Sequence, residues 1–244
     1  MFQQKNTIYT TTLSEQHPWI ILFDIDGTLL TVDRNFNRPL LRSIIDNLEI
    51  NYPDMEKDPF SGRTDFDIIT SFLVNHGFDQ NLYNRFKEIY LLRLEQEIKA
   101  EHILRHEYID EAIDYFSGNG FVRGLLTGNF PSAAQVKLKV AGINQSFRFG
   151  AFGEYHKDRN ILPELALEWV KENLSIHNPD PSRFIIIGDT PRDVLCAKHS
   201  GMRCVSVTTG KFSEGQLKEY GPDMILDNLS EPDKWFKKLV NGSS

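Results

Sequence analysis

Three short segments carry side chains that could act on one substrate: Asp24-Ile25-Asp26-Gly27-Thr28, Thr127-Gly128-Asn129 and Gly188-Asp189-Thr190-Pro191-Arg192-Asp193. Asp24 and Asp26 flank one apolar residue, so both can approach a single pocket where a strand gives way to a loop. A carboxylate with an ordinary pKa near ~3.9 is already ionised at neutral pH and needs no partner base to act as a nucleophile. Its obstacle is repulsion by an anionic phosphoryl group. A divalent cation removes that obstacle, and Mg²⁺ suits the task because it takes oxygen ligands and bridges carboxylate to phosphate. Asp189 supplies a distal carboxylate, while Asp193 is either a further ligand or a group that orients one. Thr127, with the amides of Gly128 and Asn129, can hold phosphoryl oxygens as charge shifts. Each segment alone has a plainer reading: a solvated strand end, a turn, or a helix cap with a first-turn acid. All three in order, each behind an apolar run, point to a metal and phosphate site.

The elements that must position these groups follow from the hydrophobic pattern. Trp19–Phe23, Phe121–Leu126, Phe184–Ile187, Arg203–Val207 and Met224–Leu226 read as strands, the first as one covered on both faces. Helical patterns lie between them at 132–141, 160–174 and 193–200, the first and last ending at Gly142 and Gly201. Alternating strands and helices predict an α/β fold, a doubly wound parallel sheet. Ligands then bind beyond the carboxyl ends of the strands, where Asp24, Thr127 and Asp189 would meet. The long interval after the first strand is helical, with apolar stripes at Leu40–Leu48, Ile68–Leu73 and Phe86–Leu94. Residues 1–33 and 105–244 are therefore expected to form the core, with 1–18 a mobile arm and 34–104 an inserted helical subdomain. The hinges are expected near 31–34 and 101–107.

The bulk composition narrows the class. At 244 residues the chain can bury a real core, and 40% hydrophobic with 25% charged residues is ordinary for a soluble globular protein. A formal net charge of −7 offers no broad basic field for nucleic acid or an anionic membrane. No run approaches the ~20 apolar residues of a membrane span, and the polar start lacks a signal-peptide core. Cys196 and Cys204 have neither metal-ligand nor redox spacing and read as reduced packing residues of a cytoplasmic protein. The expected partner is a small phosphorylated metabolite, with the chain a monomer or homodimer.

With these residues in view the chain resembles the haloacid dehalogenase superfamily, in its phosphatase branch, with phosphoglycolate phosphatase-like character. Asp24-Ile25-Asp26-Gly27-Thr28 is similar to the first motif, DxDGT; Thr127 matches the second motif and Gly188-Asp189 through Asp193 the fourth. The helical insert resembles a C1-type cap on a Rossmann-like core. The resemblance implies that Asp24 forms an aspartyl-phosphate, and that Asp26 protonates the leaving alkoxide and later activates water. It places Mg²⁺ between Asp24, the backbone carbonyl of Asp26, and Asp189, with Asp193 in support. The third motif is a lysine, usually followed by proline, and here the chain departs: Tyr155-His156-Lys157-Asp158-Arg159-Asn160 has no such proline. Counting back from the helix favours Lys157, whereas Arg159 lies nearer the helix and could fork onto two oxygens. In the insert, Arg63 of Ser61-Gly62-Arg63-Thr64-Asp65 is either a ligand for a second anion, as on phosphoglycolate, or a solvent-facing residue of a helix-start turn. Phosphomonoester hydrolysis leads. A sugar phosphomutase shares the covalent intermediate, and a regulatory protein on a retired catalytic fold is the reading from another class.

Overall fold

A computed structural model describes residues 17–242 except 75, 76 and 78. Most of the expected arm, 1–16, and the last two residues of the chain lie outside the described residues. Strand β1 (Ile20–Phe23) has all four side chains fully buried, which places it mid-sheet. It pairs in parallel with β4 (Val122–Thr127) on one side and β6 (Phe184–Gly188) on the other. The sheet is completed by β5 (Phe149–Phe152), β7 (Arg203–Val207) and β8 (Met224–Leu226), in the order β5-β4-β1-β6-β7-β8, every pair parallel. The chain thus runs outward from β1 through β4 to β5, then returns to β6 and continues the other way. That reversal opens a crevice at the carboxyl ends of β1 and β6.

Period-two alternation sorts the β1 side chains between two cores. Ile21 and Phe23 pack with Phe116 of α4 (Ile109–Gly118) and with Trp235 and Phe236 of α8 (Pro232–Asn241). Ile20 and Leu22 pack with Ala166 and Val170 of α6 (Leu162–Asn173) and with Val194, Cys196 and Ala197 of α7 (Pro191–Ser200). Both cysteines are free and buried, Cys196 and Cys204 lying in this second core. Helix α5 (Pro131–Val140) gives Ala134 and Leu138 to the first core.

The interval after β1 is helical as the stripes predict, with α1 (Arg34–Asn47), α2 (Asp65–Phe72) and α3 (Gln80–Glu97). Asp33, Thr64 and Asp79 cap them by accepting from Asn35, Asp67 and Asn81 amides. Helix α1 starts five residues before Pro39, so that proline sits inside the helix. These helices close on their own core of Leu41, Ile44, Ile45, Phe72, Phe86 and Leu94, which Phe130 and Ala133 of the sheet unit join. One feature escaped the sequence reading. The links into and out of the insert pair antiparallel, β2 (Leu30–Val32) with β3 (Ile103–Arg105), Thr31 opposite Leu104. No helix among the described residues is long and apolar enough to cross a membrane.

Candidate active site

Sheet register brings the first and third segments together. Phe23 lies opposite Ile187, and the Asp24 amide donates to the Ile187 carbonyl at 2.9 Å, so the two acidic turns leave the sheet side by side. Asp24 is 4% exposed, with Oδ1 accepting from the Ile25 amide at 2.8 Å. Asp189 is held from both sides: a Cβ on Gly27 (φ +91°) or on Gly210 would fall 2.3 Å or 1.7 Å from its Oδ2. Only glycine lets the two backbones close on that carboxylate. Asp193 is fully buried, and its Oδ2 accepts from the Thr190 amide at 3.0 Å and hydroxyl at 2.7 Å, closing a capping box at the start of α7.

The structure brings one of the two candidate third-motif cations to these acids. Arg159, buried in a 3₁₀ turn (Arg159–Ile161) before α6, points Nη2 at Asp193 Oδ1 (2.5 Å) and Asp24 Oδ2 (3.1 Å). The same nitrogen reaches the Leu126 carbonyl at 3.3 Å. Burial opposes the guanidinium's charge, but Asp193 and Asp24 outweigh it and hold its pKa above the ordinary value. Lys157 is exposed and lines no part of the cavity, because the turn sends its side chain outward.

The second segment closes the opposite wall. Thr127, fully buried, accepts from the Asn129 side-chain amide at 2.8 Å, and that amide also donates to Asp26 Oδ2 at 2.7 Å. Lys137 of α5, absent from the sequence reading, completes the group. Its Nζ lies 2.9 and 2.8 Å from the two Asp26 oxygens and 2.6 Å from Asn129 Oδ1. The available signal was a lysine on the apolar stripe of α5, beside Ala133, Ala134 and Leu138 and two turns beyond Asn129. Gly128 is in place for contact with the insert: its carbonyl accepts from the Asp65 amide at 2.7 Å, and a Cβ there would meet the Arg63 carbonyl at 2.2 Å. The Phe130 amide donates to Asp65 Oδ2 at 2.8 Å, and the Thr64 hydroxyl to the His156 carbonyl at 2.7 Å.

Arg63 borders the cavity, yet its charge is already matched. Nη1 lies 2.8 Å from Asp58 Oδ1 and Nε 2.6 Å from Asp67 Oδ2, and Thr64 beside it caps α2. The turn reading describes its place, although the side chain is half-buried rather than solvent-facing. The cavity itself holds about 750 Å³ and runs from Asp24, Asp189 and Thr127 to α1 and α2 of the insert.

The donor set suits a divalent cation. One carboxylate oxygen each from Asp24, Asp189 and Asp193 falls within 4.8 Å of the others. Burial, then repulsion from Asp193 and Asp24, pushes Asp189 up to about 8. Burial also raises Asp24, to about 7, with Asp193 and Asp26 adding to the rise against Arg159. One arginine thus fails to balance three acids, and a hard oxygen-seeking ion would supply the missing charge. Asp193, committed to Arg159 and Thr190, is better placed to orient the site than to ligate an ion. The Asp26 carboxylate lies outside this trio, bound instead to Lys137 and Asn129.

Known proteins show the same arrangement of chain. Pyrophosphatase PpaX of Bacillus velezensis is 25% identical over 226 residues, covering 90% of this chain and 96% of that protein. The phosphoglycolate phosphatase of Vibrio parahaemolyticus is 23% identical over 231 residues, again covering 90% and 96%. Among solved structures, a predicted phosphoglycolate phosphatase from Haemophilus somnus 129pt superposes with a TM-score of 0.68 at 16% identity, over 91% of this chain and all of that one. The profile of haloacid dehalogenase-like hydrolases matches residues 20–201, and on that match this chain belongs to the haloacid dehalogenase-like hydrolase family.

Proposed function

We propose that this enzyme is a Mg²⁺-dependent phosphomonoester hydrolase working through an aspartyl-phosphate on Asp24, with a small phosphorylated metabolite as substrate. The observation that carries this reading is the setting of Asp24. It is buried at the head of a cavity, within 3.1 Å of a guanidinium, beside a second buried carboxylate, and facing Thr127 and Asn129. Mg²⁺ held by Asp24 and Asp189 would offset the charge between nucleophile and phosphate. Arg159 draws Asp24 into line and presents donors to the same charge, while Thr127 and the Gly128 and Asn129 amides bind the phosphoryl oxygens. Attack by Asp24 forms the acyl phosphate and releases the alkoxide, which takes its proton from Asp26. Asp26 then accepts a proton from the water that cleaves the acyl phosphate, returning Asp24 and inorganic phosphate. Both Asp26 oxygens accept hydrogen bonds in the structure, the form suited to that second step.

Phosphoglycolate fits this reading as one small acidic substrate, and the named phosphatase relatives support the class. Residues 34–104 are read as a cap over the site, hinged at the β2–β3 ribbon. The test is phosphate release from a panel of phosphomonoesters with Mg²⁺, by the unmodified chain and by Asp24→Asn. The panel should yield phosphate and D24N should yield none while melting as the parent does; turnover by D24N would remove Asp24 as nucleophile.

A further inference from the structure

The cations around the cavity divide into two groups. Lys137, Arg159 and Arg63 are each salt-bridged, to Asp26, to Asp24 and Asp193, and to Asp58 and Asp67. Arg34, Arg38 and Lys211 line the same cavity and, among the described residues, have no carboxylate partner within salt-bridge distance. Arg34 and Arg38 stand one turn apart on α1, and Lys211 comes from the loop after β7, so two remote parts of the chain bring like charges together. The arginines are fixed by neutral groups. Arg34 Nη2 donates to the Glu56 carbonyl at 3.1 Å and Arg38 Nη2 to the Asp58 carbonyl at 2.6 Å. Arg38 also bonds the Met55 carbonyl and lies 3.7 Å over the Phe60 ring. Such bonds orient a guanidinium without cancelling its charge.

The nearby acids relieve the cluster only in part: Glu56 and Asp58 act on Arg38 from beyond salt-bridge distance, and Asp58 is already paired with Arg63. Asp33 and Glu101 also border the cavity, but neither lies within salt-bridge distance of Arg34, Arg38 or Lys211, and Glu101 lies 3.7 Å from His102. Lys211 is solvent-accessible at the rim yet crowded by the wall. Its pKa is lowered by that burial and then by Arg38 and Arg34, while Asp189 pulls the other way. Lys211 follows Gly210, whose backbone closes on Asp189, and it shares the cavity wall with the arginine pair. Three cations that line one cavity without a salt-bridge partner lower their mutual repulsion by binding an anion.

We propose that Arg34, Arg38 and Lys211 form a second anion subsite, and that the substrate is a phosphomonoester carrying another anionic group, phosphate or carboxylate, on a carbon spacer. The assignment of the other end as the one that is cut rests on the hydrolase reading above. Arg63, with both carboxylates in place, is not the receptor for this group.

Calorimetric titration of the full chain with Mg²⁺ tests this, using ligands that cannot be hydrolysed: butane-1,4-diphosphonate, 4-phosphonobutyrate and butylphosphonate. A two-anion ligand should bind at least about tenfold more tightly than butylphosphonate, an advantage that shrinks with added NaCl. Arg34→Ala and Lys211→Ala should each reduce that advantage to about threefold or less while butylphosphonate affinity stays unchanged, and Lys211→Arg should keep it. The diphosphonate and phosphonobutyrate arms tell which anion is preferred. Arg34 and Lys211 are exposed, so these variants should melt as the parent does. Equal affinity for one- and two-anion ligands, no binding of any, or an advantage that survives in both variants would each overturn the subsite. Phosphate release from butyl phosphate and butane-1,4-diol bisphosphate separates the two readings. Subsite-dependent binding with neither ester cleaved would refute the hydrolase and leave the subsite standing.

Discussion

Lys137→Met probes the one group at the site that no sequence motif announced. The Lys137 side chain is 7% exposed and its ammonium holds three oxygens, two on Asp26 and one on Asn129. The Asp26 carboxylate is 41% exposed and re-solvates when the partner goes, so its share is that of a surface pair, below about 1 kcal/mol. Asn129 Oδ1 remains buried and loses its donor, at about 1–3 kcal/mol. A loss of about 1–4 kcal/mol follows, which for a chain of this size lowers the melting temperature by about 2–16 °C. Catalysis should suffer differently. Asp26 and the Asn129 amide lose their common anchor, and displacement of a proton-transfer group by about 1 Å reduces kcat by about 100-fold. KM should move by no more than about threefold, since Lys137 acts through Asp26 and Asn129. The assay is Mg²⁺-dependent phosphate release, with kcat and KM measured separately, beside thermal melts. Asp26→Asn supplies the control, for in that background Lys137→Met should reduce kcat little further. A variant that melts lower but turns over within about threefold of the parent would refute the positioning role and leave Lys137 a packing residue.

Arg159→Met should lower kcat/KM at least about 100-fold and destabilise by about 3–5 kcal/mol, because Asp24 and Asp193 are left buried without their partner. Lys157→Ala should alter neither, and chemical denaturation with kinetics on both variants reads the contrast. In the absence of divalent cation, stability should fall as pH rises from about 4 to about 8. Asp24 and Asp189 stand near 7 and 8 when folded against an ordinary 3.8, so across that window the folded state binds more protons than the unfolded one. Mg²⁺ competes with those protons and should raise the melting temperature more at pH 8 than at pH 5.5; an equal rise at both would contradict the metal assignment. Gly128→Ala should abolish activity and lower the melting temperature, since its Cβ would meet the Arg63 carbonyl at 2.2 Å, backbone that cannot rotate away.

What the sequence made legible is what local signals specify. Asp24, Asp26, Thr127 and Asp189 each follow a buried strand, so their convergence follows from strand order alone. The choice between Lys157 and Arg159 depends on how a 3₁₀ turn aims two cations placed two residues apart, and no periodicity records that rotation. Lys137 was hidden because a charged residue inside an apolar stripe reads as an interruption of the stripe. Phe149–Phe152 was missed as a strand because Gly150 weakens a four-residue pattern. The β2–β3 ribbon has only three residues a side, too few to show alternation. Thr64 caps α2, which leaves the Asp65 carboxylate to receive the Phe130 amide, a pairing across some 65 residues that no local pattern records.

The close seating of residues 62–65 on the Thr127–Phe130 turn limits how the insert could be exchanged between proteins. Gly128 and Gly153 both lie where a Cβ would strike Arg63 or Thr64, and Asp65 exchanges backbone and side-chain bonds with Gly128 and Phe130. A graft that replaced the whole insert would carry away half of this joint and loosen the turn that presents Thr127 and Asn129. Among the described residues, no hydrogen bond or salt bridge ties α1 to the sheet unit, its arginines bonding within the insert. A chimera is therefore best cut so that Gly62, Arg63, Thr64 and Asp65 stay with the sheet they clasp, leaving the walls facing α1 free to be redrawn for another ligand.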